Sequence, residues 1–191
     1  MSLPEFREFA SIPRLSRPCI ITEKIDGTNG VVFIGVAGCL CGDCDPRGDV
    51  AAGSRTRWIT PEMDNHGFAA WVRDHADELR ALGPGRHFGE WWGQGVNKRY
   101  PMIAPKRFSL FNVHRWRDTR PACCHVVPVL YEGPFTTEAV EGALLVLDEG
   151  GSVAAPGCTR PEGVVVFHVP SQTLFKKTLE KDEAPKSVTG A

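Results

Sequence analysis

Residues 23–29 read EKIDGTN and lie between two apolar runs, CII at residues 19–21 and VVFI at residues 31–34. β-Branched and aromatic residues favour strands and an Asp-Gly pair favours a turn, so the pattern predicts a strand, a turn at Gly27 and a second strand. Lys24 then leaves the first strand with carboxylates on both sides, at Glu23 and Asp26. A lysine fixed in this way is a candidate nucleophile. An edge-strand charge paired with one of these acids is the simpler alternative.

The composition is that of an ordinary globular protein. The chain has 191 residues, of which 42% are hydrophobic and 24% are charged, enough for one domain with a real core. No apolar run approaches the roughly 20 residues that cross a bilayer. The first residues also lack the charged-then-apolar form of a signal peptide. The sequence therefore predicts a cytoplasmic protein with no membrane partner.

Seven cysteines in such a chain indicate free thiols or bound metal rather than disulfides. Cys39, Cys41 and Cys44 could supply three zinc ligands. Their spacing is not that of a zinc ribbon, however, and the Gly-Asp pair between them is typical of a hairpin turn. Free thiols in and around a hairpin are the favoured interpretation, with structural zinc as the alternative.

The charges are unevenly distributed along the chain. Seven basic residues and one acid between residues 98 and 120 give a net charge of +6, whereas five acids and no lysine or arginine between residues 121 and 159 give −5. Such polarity suits a protein that presents one face to a polyanion. Arg115, Arg117 and Arg120 are the candidates to follow a phosphate backbone, and two ordinary solvated surfaces are the alternative.

Two helices and several strands are predicted. Apolar residues at helical spacing predict a helix over residues 63–82, and a second helix begins with Thr136 or Thr137 as its N-cap and ends at residues 150–151. Strand-like runs lie at residues 31–36, 54–59, 87–92, 108–113, 126–131, 164–169 and 174–178. This pattern predicts an α+β fold with mostly antiparallel sheets and a few helices. We expect one domain over residues 1–182 and a polar tail over residues 183–191.

Several of these strands carry polar or aromatic side chains in apolar surroundings. Charges on core strands are costly unless they meet a partner or a ligand, so charges on separate strands predict one shared polar cleft. Its cations could hold phosphates, its glutamates a sugar hydroxyl and a metal, and its aromatic rings a base. The chain has neither the P-loop nor the dinucleotide-binding glycine motif, so another kind of nucleotide site is predicted. The residues concerned are Lys24, Arg55, Glu90, Phe108, Phe111, Glu162, Lys176 and Lys177.

In this order, the segments resemble the motifs of the RNA ligase family of covalent nucleotidyltransferases, whose superfamily also contains DNA ligases and capping guanylyltransferases. The resemblance covers roughly residues 13–182. EKIDGTN resembles the lysine motif in its RNA ligase form. The other five matching segments are SR at residues 54–55, FGE at 88–90, FSLFN at 108–112, EGVV at 162–165 and FKK at 175–177.

The resemblance implies an adenylylation domain of the ligase nucleotidyltransferase type, similar to ATP-grasp folds, and no OB-fold is expected after the last motif. It implies that Lys24 attacks the α-phosphate of ATP, releases pyrophosphate and carries AMP, in the presence of Mg²⁺ or Mn²⁺. Nearby cations would favour the neutral amine that this attack requires. AMP then passes to a 5′-phosphate end of RNA, and a 3′-hydroxyl end displaces it.

The resemblance also implies a role for each matching residue. Glu90 would bind the ribose, Phe108 would stack on adenine and Glu23 would accept a hydrogen bond from its exocyclic amine. The implied catalytic residues are Lys24, Asp26, Glu162, Lys176 and Lys177. The implied ATP contacts are Glu23, Lys24, Asn29, Arg55, Glu90, Phe108, Glu162 and Lys176, and the implied metal contacts are Asp26, Glu90 and Glu162.

Two departures from the family pattern leave alternatives open. Asn112 stands where an aspartate is common, and the closing motif has adjacent lysines instead of Lys-x-Lys, so the role of Lys177 is undefined. The expected partners are RNA ends with a 5′-phosphate and a 3′-hydroxyl, with a nicked duplex and a repair protein as further candidates. The alternatives are a DNA ligase and an end-binding protein that derives from a ligase and is inactive or needs a partner.

Overall fold

The computed structural model describes residues 5, 7–9, 11–36, 38, 48–97, 100, 105–180 and 182. In these residues, ten strands form one sheet of four strands and one of six. The predicted cysteine cluster at Cys39, Cys41 and Cys44, the basic residues Lys98 and Arg99, and the predicted tail at residues 183–191 lie outside the described residues. No helix in the described part is long and apolar enough to cross a membrane.

The four-stranded sheet combines the first strand with the last three, and the six-stranded sheet contains all the strands between them. In order they are β1 Pro18–Lys24, β2 Thr28–Ile34, β3 Val50–Gly53, β4 Trp58–Ile59, β5 Gly85–Trp92, β6 Arg107–Leu110, β7 Cys124–Val126, β8 Val129–Pro134, β9 Gly163–His168 and β10 Thr173–Thr178. The four-stranded sheet has the order β10-β9-β1-β8, and the six-stranded sheet has the order β4-β3-β2-β5-β6-β7. Only the β6–β7 pair among these is parallel, which confirms the predicted α+β class with mostly antiparallel sheets.

Four α-helices accompany the described strands: α1 Phe68–Asp74, α2 Ala76–Leu79, α3 Val113–Trp116 and α4 Thr137–Gly150, with 3-10 turns at Pro61–Met63 and Arg80–Leu82. The prediction for α4 is confirmed at both ends. The Thr136 side chain accepts a hydrogen bond from the backbone N–H of Ala139, and the helix ends at Gly151. Its buried face packs on one side of the four-stranded sheet.

The prediction of one helix over residues 63–82 is wrong, because polar groups interrupt it. The carboxylate of Asp64 accepts hydrogen bonds from the backbone N–H groups of Ala69 and Ala70, so the helix begins only at Phe68. At His75 the backbone leaves the helical region, and α2 follows as a separate short helix. The apolar stripe is nevertheless core, since Phe68 and Leu79 are buried against the six-stranded sheet.

Three predicted strand runs have different boundaries. Residues 54–57 form the turn between β3 and β4, closed by the hydrogen bond from Ser54 N to Arg57 O. The strand predicted over residues 108–113 ends at Leu110, because the Asn112 side chain accepts from the Arg115 N–H and caps α3. The run at residues 126–131 is divided between β7 and β8.

Two apolar clusters show how the sheets are arranged. One lies between the six-stranded sheet and α1. Another joins Ile20 of β1 to Trp92 of β5 and therefore packs the two sheets against each other. Residues 25–27 connect β1 in one sheet to β2 in the other. EKIDGTN is thus the link between the sheets, and its lysine lies at the edge of the space between them.

Candidate active site

The predicted nucleophile Lys24 forms an ion pair with Glu162. Lys24 Nζ lies 2.6 Å from Glu162 Oε2, and the two side chains are 21% and 16% exposed. Lys24 is the last residue of β1 and pairs with Gly163, the first residue of β9. The pairing of two adjacent strand ends therefore brings together residues that are 138 positions apart.

Gly163 makes this arrangement possible. Its φ is +146°, and a Cβ at this position would overlap the carbonyl oxygen of Lys177 in β10. A glycine here lets β9 begin directly against its neighbour, so that the preceding carboxylate, Glu162, reaches Lys24. The sequence EGVV thus has a steric reason for its glycine.

Glu90 of β5 faces the same space from the six-stranded sheet. Its side chain is 9% exposed, and Asn29 Nδ2 donates a hydrogen bond of 3.4 Å to Glu90 Oε2. Burial raises the pKa of Glu90 to about 7; the charge of Lys24 opposes this shift, and the carboxylates of Glu162 and Asp26 add to it. Three carboxylates therefore lie within electrostatic reach of one lysine.

The raised pKa of Glu90 predicts a pH-dependent stability. Between pH 4.5 and about 7, the folded protein retains a proton that the unfolded chain has released. The free energy of unfolding should therefore fall as pH rises through this window, by on the order of 3 kcal/mol at about 1.4 kcal/mol for each pKa unit. A Glu90→Gln variant cannot titrate, so urea denaturation should give it a flatter profile than the wild type. Parallel profiles would contradict this account.

At Gly27 the backbone lies so close to β5 that there is no room for a side chain. A Cβ there would overlap the carbonyl oxygen of Trp91 and lie 2.8 Å from Trp92 Cβ and 3.0 Å from Glu90 Cγ. Its φ is not in the left-handed region, unlike that of many other glycines of the chain. The predicted turn is present, but its glycine serves the close approach of the connection to β5.

Asp26 lies in the same connection. Its side chain is half-buried, and its negative charge contributes to the raised pKa of Glu90. Its backbone N–H donates a 3.4 Å hydrogen bond to the hydroxyl of Tyr100, which is fully buried. Asp26 thus lies within electrostatic reach of Glu90, and its catalytic and metal-binding roles stay predictions.

Glu23 lies on the other side of β1 from Lys24, and its contact with adenine stays a prediction. Successive strand side chains point to opposite faces, so Glu23 and Lys24 lie on opposite sides of β1. Glu23 is 1% exposed, and its two oxygens accept hydrogen bonds from Ser152 Oγ at 2.5 Å and from Ala154 N at 2.8 Å. Burial raises the pKa of Glu23, and these hydrogen bonds oppose the shift. Glu23 therefore anchors the segment after α4.

Phe108 lies on the face of the six-stranded sheet opposite to Glu90, and its stacking on adenine stays a prediction. It is fully buried, and its ring packs on Phe68 of α1 at 5.1 Å between centroids. Phe111 lies on the other face of the sheet, directly opposite Phe88, as its backbone N–H donates to the Phe88 carbonyl. Both rings are exposed, by 41% and 54%, on the face that also carries Glu90.

The two adjacent lysines of β10 lie on opposite faces. Lys176 pairs with Val165, which pairs with Thr22, so Lys176 shares the face of Lys24. Lys177 lies on the α4 side, and its Nζ is 3.9 Å from Asp182. The ammonium of Lys177 therefore lies on the other side of the sheet from Lys24, and its catalytic role stays a prediction.

Arg55 lies in the turn between β3 and β4 and is exposed. It lines a shallow groove of about 280 Å³ on the six-stranded sheet, on the same face as Glu90. The structure brings Arg55 to the rim of the cleft and not into contact with Lys24. The other lining residues are Val31, Gly53, Ser54, Thr56, Arg57, Trp58, Arg86 and Phe88.

The predicted metal contacts do not form a ready-made metal cage. Among the described residues, no three His, Cys, Asp or Glu side chains make a group that could hold a metal ion. Glu162 is bonded to Lys24, and Asp26 and Glu90 are near but not grouped with it. Mg²⁺ commonly keeps several waters and binds one or two carboxylates together with substrate phosphates. The carboxylates present fit that kind of site and not a three-carboxylate cage.

The three arginines predicted to follow a phosphate backbone are engaged within the protein. Arg115 donates to the carbonyl of Leu82 at 2.9 Å and Arg117 pairs with Glu132 at 2.7 Å. Arg120 donates to backbone carbonyls of residues 117 and 124. These contacts favour the alternative of an ordinary surface.

Some residues at the site carry no signal in the sequence. Ser152 and Tyr100 contact the lysine motif from 129 and 74 positions away, in segments with no recognisable pattern. The exposure of Phe88, by contrast, follows from strand alternation once Glu90 is placed in the cleft, because the two residues are two positions apart.

Comparison with known proteins identifies the family of the chain. The RNA ligase family model matches residues 17–178. A comparison with curated proteins finds no match. An archaeal ATP-dependent RNA ligase superposes with a TM-score of 0.57 at 21% identity, over 91% of this chain and 48% of that one.

Two structures of Naegleria gruberi RNA ligase variants are also similar. The one with AMP and manganese has a TM-score of 0.56 at 16% identity, over 85% of this chain and 49% of that chain. The one with ATP and manganese has a TM-score of 0.58 at 17% identity, over 92% and 57%. At such identities the likeness concerns the fold, and this chain spans about half the length of these relatives. Because the family model covers most of the sequence, the protein belongs to the RNA ligase family.

Proposed function

We propose that the protein is an ATP-dependent RNA ligase that joins 5′-phosphate and 3′-hydroxyl ends through an AMP carried on Lys24. The observation that supports this most is the ion pair of Lys24 with Glu162 at the junction of the two sheets, opposite the buried Glu90. One amine among three carboxylates, in a protein of this family, is suited to attack a phosphate that a cation has partly neutralised.

In the first step, Lys24 Nζ forms a bond to the α-phosphorus of ATP and the bond to pyrophosphate breaks. The ammonium must lose its proton and its contact with Glu162 before its lone pair can attack. A divalent ion held by Glu162 and the triphosphate would supply charge neutralisation at the reacting phosphate. Glu162 is thus the partner of Lys24 in this structure and would also be a ligand of the metal.

Glu90 is suited to bind the ribose hydroxyls. With a pKa of about 7 it exchanges easily between a carboxylate that accepts hydrogen bonds and an acid that also donates. Asn29 holds one of its oxygens and fixes its orientation. For the base, Phe111 is the better candidate than Phe108, because its ring is exposed on the Glu90 face.

Lys176 and Arg55 would bind phosphates from two sides of the cleft. Lys176 lies on the Lys24 face of the four-stranded sheet, and Arg55 lies at the rim of the six-stranded sheet. Cations at these places suit the triphosphate of ATP first and the RNA 5′-phosphate later. A cytoplasmic location and a repair partner stay predictions from the sequence.

Incubation with α-labelled ATP and a divalent ion, followed by a denaturing gel, tests the proposal. We expect label to remain on the wild type and to be absent from Lys24→Ala, because the proposed phosphoramidate forms on the Lys24 amine. Prior treatment with pyrophosphate would remove AMP already bound and reveal a hidden signal. Absence of label after this treatment, with both Mg²⁺ and Mn²⁺, would refute the proposal.

The choice of RNA over DNA has its own test. Nicked duplexes that differ only in the sugar at the 3′-hydroxyl end should be sealed at different rates, faster with ribose. Equal rates would assign the protein to polynucleotide ligation in general. Failure to seal any nick by a protein that still forms lysyl-AMP would favour the alternative that depends on a partner.

The adjacent lysines of β10 provide a matched pair of variants. Lys176→Ala should reduce lysyl-AMP formation by roughly a hundredfold, the order lost with one transition-state contact, whereas Lys177→Ala should stay within a few-fold of the wild type. The two changes remove the same charge one position apart, so composition and strand propensity are controlled. A larger loss with Lys177→Ala, measured by the rate of labelling, would contradict the assignment from strand alternation.

A further inference from the structure

The cleft face of the six-stranded sheet continues beyond the catalytic residues as a strip of aromatic and cationic side chains. Strand pairing sets Gly53 opposite Trp58, Val31 opposite Gly53 and Phe88 opposite Val31. Directly paired residues share a face, so these side chains form one row across four strands. Phe111, which directly follows β6, extends the row beside Phe88.

This aromatic row lies next to the catalytic row. Asn29 and Glu90 are paired across β2 and β5, and Val31 and Phe88 are paired two positions further along the same strands. Two residues in a strand span roughly 7 Å. Arg86 lies two positions beyond Phe88 on the same face. On this face of β5, the buried Trp92 is therefore followed by the catalytic row at Glu90 and then by the exposed groove at Phe88 and Arg86.

The rings in the groove are held in open positions. Trp58 is 51% exposed, and a Cβ on Gly53 would lie only 3.1 Å from its ring, so the indole rests against the strand. Arg86 lies over the Trp58 ring at 5.9 Å. Exposed flat rings with adjacent cations are what single-stranded nucleic acids need, since bases stack and phosphates pair with arginine.

The charge of the groove favours a polyanion. Its nine lining residues include Arg55, Arg57 and Arg86 and no acid. This is a local charge of +3 in a chain whose net charge is −1. The arginines at residues 115, 117 and 120, by contrast, are engaged by carbonyl groups or by Glu132.

We infer that this groove binds the single-stranded end of an RNA substrate, with bases on Trp58 and Phe88 and backbone phosphates on Arg57 and Arg86. The inference rests on the proposed ligase function and adds a place for the strand that leads to Lys24. Because stacking and phosphate contacts ignore base identity, binding there should show little sequence preference.

Binding of a short fluorescent oligoribonucleotide, followed by anisotropy at several salt concentrations, tests the inference. Trp58→Ala should weaken binding roughly tenfold, and Trp58→Phe should restore most of it, because a ring is all that stacking requires. Arg86→Gln should weaken binding and lower the salt slope by about 0.7, the value for one phosphate contact on a single strand. Arg73→Gln is the matched control, since Arg73 is an exposed arginine on α1 and pairs with Asp74.

The rate of lysyl-AMP formation, measured on the same variants without RNA, separates this inference from the proposed function. Lost RNA binding with wild-type labelling supports the groove as the RNA site. A raised KM for ATP with unchanged RNA binding would overturn it and assign the groove to the triphosphate. Wild-type protein that binds no RNA at low salt would also overturn it, whereas absent labelling alone refutes only the proposed function.

Discussion

Glu162→Gln should lower the rate of lysyl-AMP formation by roughly a hundredfold or more, comparable to the loss of one key electrostatic contact. The amide oxygen of glutamine can still accept the hydrogen bond from Lys24 Nζ, now 2.6 Å from the carboxylate. The ion pair is partly exposed, so the free energy of unfolding should change by no more than about 1 kcal/mol. What the variant loses is the negative charge that would hold a divalent ion.

The measurement is the initial rate of labelling at several metal concentrations, together with a urea denaturation curve. Glu180→Gln is a suitable control, because Glu180 is an exposed acid that accepts from Arg160 at 3.1 Å on the surface. A Glu162→Gln variant that labels at the wild-type rate would leave Glu162 with a structural role only. Partial rescue by high metal concentration would further support a ligand role.

Gly27→Ala should destabilise the protein by about 3 kcal/mol, the upper part of the range for overpacking. The new methyl group would overlap the Trp91 carbonyl and crowd Trp92 and Glu90. The backbone cannot easily yield, because β2 is hydrogen-bonded to β5 along seven residue pairs. Labelling should fall as well, since the same displacement moves Glu90 away from Lys24.

Gly142→Ala is the matched control for this change. Gly142 lies on the exposed side of α4, and a Cβ there would have no atom within 4 Å. Alanine has the higher helix propensity, so this variant should gain up to about 1 kcal/mol. Denaturation midpoints of the two variants should therefore move in opposite directions. Equal stability of Gly27→Ala and the wild type would mean that the connection between the sheets is looser than its packing indicates.

The sequence is most informative where chemistry and local structure agree. Lys24 ends one strand and Glu162 directly precedes another, and the apolar residues of both strands are evident in the sequence. A short motif identifies each of these two residues. The α4 boundaries were predictable for the same reason, because Thr136 and Gly151 cap the helix locally. The α+β class likewise follows from the many strand-like runs and few helical ones.

Strand alternation explains why the sequence does not show which way two of the predicted site residues face. Glu23 and Phe108 lie in runs in which both neighbouring faces carry apolar residues, so the sequence does not indicate which face is the core. A shift of one residue in the register of a strand moves every side chain to the opposite face of the sheet. Packing against α1 and α4 fixes the face, and these helices are distant in the sequence.

The predicted long helix failed for another reason. Its apolar spacing continues from residue 68 to residue 82, but the Asp64 carboxylate caps a shorter helix and His75 interrupts it. Helical periodicity reports which residues are buried and is insensitive to such breaks. The strand predicted over residues 54–59 failed for a comparable reason. A turn of polar residues between two short strands has the same sequence pattern as one extended strand.

Because the cleft is divided between two sheets, the proposed binding of a nucleotide is thermodynamically coupled to the docking of the sheets. Lys24, Glu162 and Lys176 belong to one sheet, whereas Asn29 and Glu90 belong to the other. Under the proposed function, a nucleotide that contacts both sheets would bind only the state in which the sheets are docked. Its binding free energy therefore adds to the stability of the whole domain, by about 2.7 kcal/mol at a hundred times its Kd. Nucleotide should accordingly slow amide hydrogen exchange in both sheets together, including strands that it never touches.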